Sequence, residues 1–377
     1  MFSIRSWNTW NAYGGDIDEQ KVLDAATSFV SLGLQQAGYV YVNIDDTWSN
    51  ISGRDAATNR IKPDFTKFPD GINGTAAKIH ALGLKIGIYS DAGTETCAGY
   101  PGSLGFEQID AQTFNDWGID YLKYDNCNVP SNWTDNSNPG ANFDWYNSNT
   151  AIRYRQMTAA LDSVSRPIQF DICDWGTANV WTWGARVGHS WRMTGDASAT
   201  WSFISSAIAN NAQYLDYVDF GAHNDMDMME IGNGNLTIQE QRTHFASWAF
   251  MKSPILLGTV LSALSTDQIA IVTNAEILAF HQDSTVGAAA KPYSTGTTSS
   301  PPEFYAGNSS KGTHVFVINT SSSSASKTVT FSQVPGLGAG SWKVHDMWAS
   351  VDLGMFTNSY NVTLAGHDTA ALLITSA

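Results

Sequence analysis

Cysteine is scarce in this chain: three in 377 residues allow one disulfide and leave one thiol over. Positive charge is also short. The 20 Lys and Arg stand against 35 Asp and Glu, for a net charge of −15, which excludes a phosphate-tracking surface for nucleic acid. Nothing approaches the run of about 18 apolar residues that a membrane span needs. The opening Met1-Phe2-Ser3-Ile4-Arg5 has no apolar stretch of signal-peptide length.

Aromatic residues and sequons are what the chain has in quantity. There are 14 Trp and 14 Tyr while only 15% of residues are charged, and hydrophobic residues at 43% allow a large core. Most of these rings are core, but aromatic faces also stack on the C–H faces of sugars, so the composition suits a carbohydrate-handling surface. Sequons occur at Asn50, Asn73, Asn132, Asn235, Asn308, Asn319 and Asn361, more than a cytosolic chain is expected to collect. The expectation is the mature form of a secreted, extracellular glycoprotein.

The first three quarters alternate short apolar runs with helical patterns. Val22, Ala26, Phe29, Val30 and Leu34 recur at helical spacing before the strand-like run Tyr39–Ile44. Further strands are expected at Ser6–Ala12, Lys85–Tyr89, Tyr121–Tyr124, Ile168–Ile172, Ser190–Met193, Tyr217–Phe220 and Pro254–Leu257, with helices around Ala76–Leu82 and Ile109–Trp117. Eight strand–helix units in about 285 residues is the size of a (β/α)8 barrel. A doubly wound sheet is the rival, but Trp7-Asn8-Thr9-Trp10-Asn11 stands where its Gly-rich phosphate loop belongs. The barrel is assigned to residues 1–287. Residues 294–302 read as a linker, and His314–Ile318, Thr328–Phe331, Ser341–Asp346 and Thr369–Thr375 read as short strands of an antiparallel β-sandwich over 288–377.

Carboxylates collect where strands end: Asp45-Asp46 after the second, Asp91 after the third, Asp125 after the fourth, Asp174 after the fifth, Asp225 and Asp227 after the seventh. In a barrel these ends share one mouth, where active sites lie. Taken singly, each is more often a helix cap. Glycoside hydrolysis needs two carboxyls, one protonated and one ionised, flanking the scissile bond. Asp125 and Asp196 are the candidates, with Lys123 on the same strand face as Asp125 to keep it ionised. A metal reading of His223–Asp227 lacks a second cluster of ligand spacing. Cys173 as a nucleophile lacks a His that the sequence places near it.

Trp7–Asn11, Asn43-Ile44-Asp45-Asp46-Thr47-Trp48, Tyr121–Cys127 and Trp191–Asp196 together resemble the α-galactosidases of glycoside hydrolase family 27, fungal and plant members especially. Gly87–Gly93, Thr96–Gly99, Pro101–Gly105 and Asn224–Met228 extend the resemblance over almost the whole chain. It implies a retaining exo-glycosidase that needs no cofactor or metal and acts on α-galactoside oligo- or polysaccharides. Asp125 would be the nucleophile and Asp196 the acid/base. Asp45 and Asp46 would hold the 4- and 6-hydroxyls, Trp10 the apolar sugar face, and Tyr89 and Lys123 the wall. Arg192, Cys173 and Trp175 would border the 2-hydroxyl and Met228 the floor. Cys97 would lie beside the sugar and pair with Cys127, leaving Cys173 free.

Family members commonly carry a pair of bonded Cys where this chain has Gly15 and Thr47, and Glu where it has Asp174. α-N-Acetylgalactosaminidase and β-L-arabinopyranosidase are the competing activities within the family. A catalytically silent galactose-binding protein is the alternative of another class, and it would tend to lose one catalytic carboxylate.

Overall fold

The computed structural model describes residues 4–136, 139–293 and 299–376. Residues 294–298 of the expected linker lie outside the described residues. Eight parallel strands form one curled sheet: β1 (Arg5–Asn8), β2 (Tyr41–Asn43), β3 (Lys85–Asp91), β4 (Tyr121–Asp125), β5 (Gln169–Ile172), β6 (Ser190–Arg192), β7 (His223–Asp225) and β8 (Ile255–Leu257). Their order, β7-β6-β5-β4-β3-β2-β1-β8, is the sequential winding of a (β/α)8 barrel. The strands are buried on both faces, which is why Tyr121-Leu122-Lys123-Tyr124-Asp125 does not alternate.

The helices are α1 (Trp10–Tyr13), α2 (Glu19–Ser31), α3 (Gly71–Ala81), α4 (Glu107–Trp117), α5 (Asn149–Asp162), α6 (Trp201–Asn211), α7 (Ile238–Phe250), α8 (Thr266–Val272) and α9 (Ala275–His281). α2 starts where the Asp18 carboxylate accepts from Lys21 N, and it buries Val22, Ala25, Ala26 and Phe29 on one stripe. Val30 falls off that stripe and is 48% exposed, while Leu34 lies beyond the helix end.

Two expected strands move. The first stops at Asn8, because Asn8 Oδ1 accepts from Trp10 N and the chain turns into α1. The seventh is His223-Asn224-Asp225, not Tyr217–Phe220: Leu215–Tyr217 is a 3-10 turn and Tyr217 and Phe220 are each 42% exposed. A strand of three buried polar residues leaves no hydrophobic signal to find.

The C-terminal strands are β9 (Lys291–Pro292), β10 (Phe304–Ser309), β11 (Gly312–Ile318), β12 (Ala325–Thr330), β13 (Ser341–Asp346), β14 (Val351–Thr357), β15 (Ser359–Leu364) and β16 (Thr369–Thr375). They make an antiparallel sheet β14-β13-β16-β11-β10-β9 and a β12-β15 pair, sharing a core that includes Val315, Val317, Val329, Val344, Leu364 and Leu372. Phe331, expected inside a strand, opens a 3-10 turn and plugs that core. By internal contact the chain divides into two compact units, Ile4–Gly195 with Leu256–Ala263, and Asp196–Ile255 with Leu264–Ala377.

Candidate active site

Within the first unit, parallel register sets the strand ends side by side. Asn8 lies beside Asn43, Asn43 beside Gly87, and Asp91 directly beside Asp125. Gly93 continues past β3 against the loop after β4, where a Cβ would come within 1.9 Å of the Cys127 carbonyl oxygen, so only glycine fits. That approach brings Cys97 and Cys127 together, Cα to Cα 5.1 Å, as the bonded pair. Cys173 is the free, buried cysteine.

Asp125 has donors on both oxygens: Asn126 N at 3.0 Å from Oδ1 and the Tyr89 hydroxyl at 2.8 Å from Oδ2. Lys123 does not bond it. Its ammonium sits 2.9 Å from Asp45 Oδ2, which also accepts from Asn8 Nδ2 at 2.7 Å. Asp46 accepts from Thr47 N and, at 3.0 Å, from Ala98 N in the disulfide loop. Asp45, Asp46, Tyr89, Lys123, Asp125, Cys173 and Arg192 are all buried, and Trp10 and Trp175 are half-buried beside these strand ends. Cys97 is exposed.

Burial dominates the electrostatics. It raises the Asp125 carboxyl above its ordinary value, while the Lys123 charge and the Tyr89 hydrogen bond pull it back. The nucleophile candidate is thus itself raised, because its carboxyl is buried in the protein. Asp46 is raised by burial too, against the hydrogen bonds from Ala98 N, Thr47 N and the Thr96 hydroxyl. Burial alone would lower Lys123, but the Asp45 and Asp125 charges hold its proton firmly. Burial and the Asp125 charge push the Cys173 thiol well up, and Arg192 Nη1 lies 3.6 Å from its sulfur. It is therefore no thiolate nucleophile.

In the second unit, Asp196 is exposed at the start of the segment after β6. Ala197 N donates to Asp227 Oδ2 at 2.6 Å, and Trp248 Nε1 to the Asp227 carbonyl at 2.7 Å. Met228 beside it is 3% exposed.

Several residues outside the expected set are built into the site. Asn8 and Thr9 hold Asp45, through Nδ2 to Oδ2 and through Thr9 Oγ1 accepting from Asp45 N. Asp91, fully buried, accepts from Gly93 N and Cys127 N. Asn8 lay within a quoted motif and Asp91 at a strand end, so both were findable. Asp174 is entirely buried, with Oδ1 accepting from Gly176 N and no partner on Oδ2. Asp91, Cys97, Asp125 and Cys127 have ligand-type atoms within 4.8 Å of one another, but both sulfurs are consumed in the disulfide and offer no thiolate.

Known proteins match this chain over nearly its whole length. The family model described as alpha galactosidase A matches residues 11–283, and that of the alpha galactosidase C-terminal beta sandwich domain matches 299–374. The chain is 48% identical over 406 residues to the "Probable alpha-galactosidase B" of Aspergillus oryzae, covering 98% of this chain and 92% of that one. It superposes on alpha-galactosidase I of Mortierella vinacea with a TM-score of 0.89 at 33% identity, covering 100% of this chain and 97% of that one. The Saccharomyces cerevisiae alpha-galactosidase with raffinose gives a TM-score of 0.87 at 27% identity, covering 100% and 98%.

Proposed function

The chain belongs to the alpha galactosidase family, and from that premise we propose that Asp125 and Asp196 perform a double displacement on α-galactosides. The protein is a glycoside hydrolase, an α-galactosidase that removes terminal α-linked galactose. Ionised Asp125 attacks the anomeric carbon as Asp196 gives its proton to the departing oxygen. Asp196 then takes a proton from water, which opens the glycosyl ester, and galactose leaves with its configuration kept. The observation that carries this reading is the fixed Asp125 carboxylate, with Asn126 N on one oxygen and Tyr89 on the other. A nucleophile held in one orientation needs little reorganisation at attack.

Asp45, paired with Lys123, and Asp46 take the 4- and 6-hydroxyls, with Trp10 on the apolar sugar face. Tyr89, Lys123 and Cys97 make the wall, Cys173, Trp175 and Arg192 border the 2-hydroxyl, and Met228 closes the floor. The substrate is an oligo- or polysaccharide galactoside. The catalytic part is residues 1–287, and 288–377 stabilise it. The ties between α7 and the β16 region, Arg242 to Asp368 at 2.9 Å and Thr243 to Thr369, support that role.

The protein is secreted and glycosylated. Asn132, Asn235, Asn308 and Asn361 are exposed and suit glycans. Asn319 does not: it is fully buried, its amide donating to the carbonyls of Ser323, Leu364 and Ala365.

Azide rescue tests the assignment. Asp125→Ala should lose turnover and yield β-galactosyl azide. Asp196→Ala should stall at the ester with good leaving groups and yield α-galactosyl azide. Reversed products would swap the roles, and inverted galactose from the unaltered enzyme would exclude a retaining mechanism.

A further inference from the structure

Arg153, on α5, is 2% exposed, yet every hydrogen bond it makes is to a neutral acceptor. Its Nη1 donates to the Ala92 carbonyl at 3.2 Å, and its Nη2 to Asn126 Oδ1 at 2.8 Å and Thr150 Oγ1 at 3.3 Å. Its Nε is buried with no partner. A buried cation normally bonds a carboxylate, because burial without one is costly. This arrangement is a poor one for stability alone.

The acceptors explain the placement. Ala92 and Asn126 each follow one of the register-paired carboxylates, Asp91 and Asp125. The same corner is closed twice more, by Ala92 N and by the hydroxyl of Tyr154, both donating to the Asp125 carbonyl at 2.9 and 3.1 Å. Asn126 supplies the backbone N–H on Asp125 Oδ1, so holding its side chain fixes the peptide that orients the carboxylate. The Arg153 charge also acts on two fully buried carboxyls, Asp91 and Asp174, favouring their ionised forms.

We propose that Arg153 is a positioning residue for the glycosylation step, tying the ends of β3 and β4 together so that Asp125 presents its carboxylate in one orientation. The inference rests on Asp125 being the nucleophile. It deepens that reading by naming the side chain, remote from the sugar, that sets the nucleophile's geometry.

The test is a double-mutant cycle on 4-nitrophenyl α-galactoside with Arg153→Met, Arg153→Lys and Asn126→Ala in the full chain. Arg153→Met and Asn126→Ala should each lower kcat by about 10–100-fold, the scale of a small misplacement of a reacting group, with KM little changed. Their double variant should be no worse than the poorer single. Should Arg153→Met fail to fold, the cycle runs with Arg153→Lys in its place. Fully additive losses, or unaltered kcat in a folded Arg153→Met or Arg153→Lys, would overturn the proposal. Mapping a fluorosugar label separates the two readings. A label away from Asp125 sinks the nucleophile assignment, whereas a label on Asp125 with additive losses sinks only the role of Arg153.

Discussion

Lys123 points its ammonium at Asp45, 2.9 Å away, and influences Asp125 only at longer range. One cation therefore serves both Asp45 and the proposed nucleophile. Because burial raises Asp125 and catalysis needs its ionised form, activity should fall as pH drops through a value above the ordinary 3.8. Lys123→Met should move that acid limb further up and cut kcat/KM by at least about tenfold, since Asp45 loses its counter-ion. A pH profile of kcat/KM checks both, and an unmoved limb would remove Lys123 from the account.

Thiol titration reads the cysteines directly. Denatured, unreduced protein should show one reactive thiol, Cys173, and reduced protein three. The Cys97–Cys127 loop spans 30 residues, so its loss should cost about 3–4 kcal/mol at most. The loop that presents Ala98 N to Asp46 should loosen first, visible as a raised KM before the barrel melts.

A second bridge can be rebuilt. A Cβ on Gly15 would lie 3.9 Å from Thr47 Cβ, inside the range of about 3.5–4.5 Å that a disulfide requires. The Gly15→Cys, Thr47→Cys double variant should oxidise spontaneously and still titrate one free thiol. Its stability should rise by up to about 3 kcal/mol, the gain disappearing with reductant. Three free thiols under oxidising conditions would show the two positions are not so placed.

Asp283 accepts five hydrogen bonds, from Thr285 N and Oγ1, Val286 N, and Ser310 N and Oγ. Burial alone would raise this carboxyl, but the donors at Ser310 and Thr285 pull it well below its ordinary 3.8. A carboxylate depressed by folding stabilises above its unfolded pKa and loses that contribution as pH falls. Stability should thus drop progressively below about pH 4 in the unaltered chain, and less steeply in Asp283→Asn. At neutral pH, Asp283→Ala should lose about 2–3 kcal/mol by denaturant titration.

The barrel was legible because its strands are apolar runs of the right spacing, and the buried cluster of Asp45, Lys123 and Asp125 because its residues sit in contiguous motifs such as Asn43–Trp48 and Tyr121–Cys127. Where pattern and burial part company, the sequence misled. β7 is polar throughout, and β14 turns Val351, Leu353 and Met355 to solvent, so neither offers the expected alternation. The influence of Lys123 on Asp125 was legible from their shared strand face, whereas its direct partner, Asp45 on another strand, was not. Arg153 gave no signal: a single arginine on a helix far along the chain becomes part of the site only through the packing of α5.

The buried sequon has a kinetic meaning. An oligosaccharide is attached to extended chain, whereas Asn319 is withdrawn from reach once its amide bonds the carbonyls of Ser323, Leu364 and Ala365. In a glycosylating compartment, transfer and folding therefore race at this position, and a chain modified there cannot close the turn between β11 and β12 onto the end of β15. The yield of active enzyme then depends on how soon residues 364–365, some forty-five positions later in synthesis, arrive to claim the amide. Asn319→Gln, which cannot be glycosylated, would trade that race for a slightly misfitting hydrogen-bond donor.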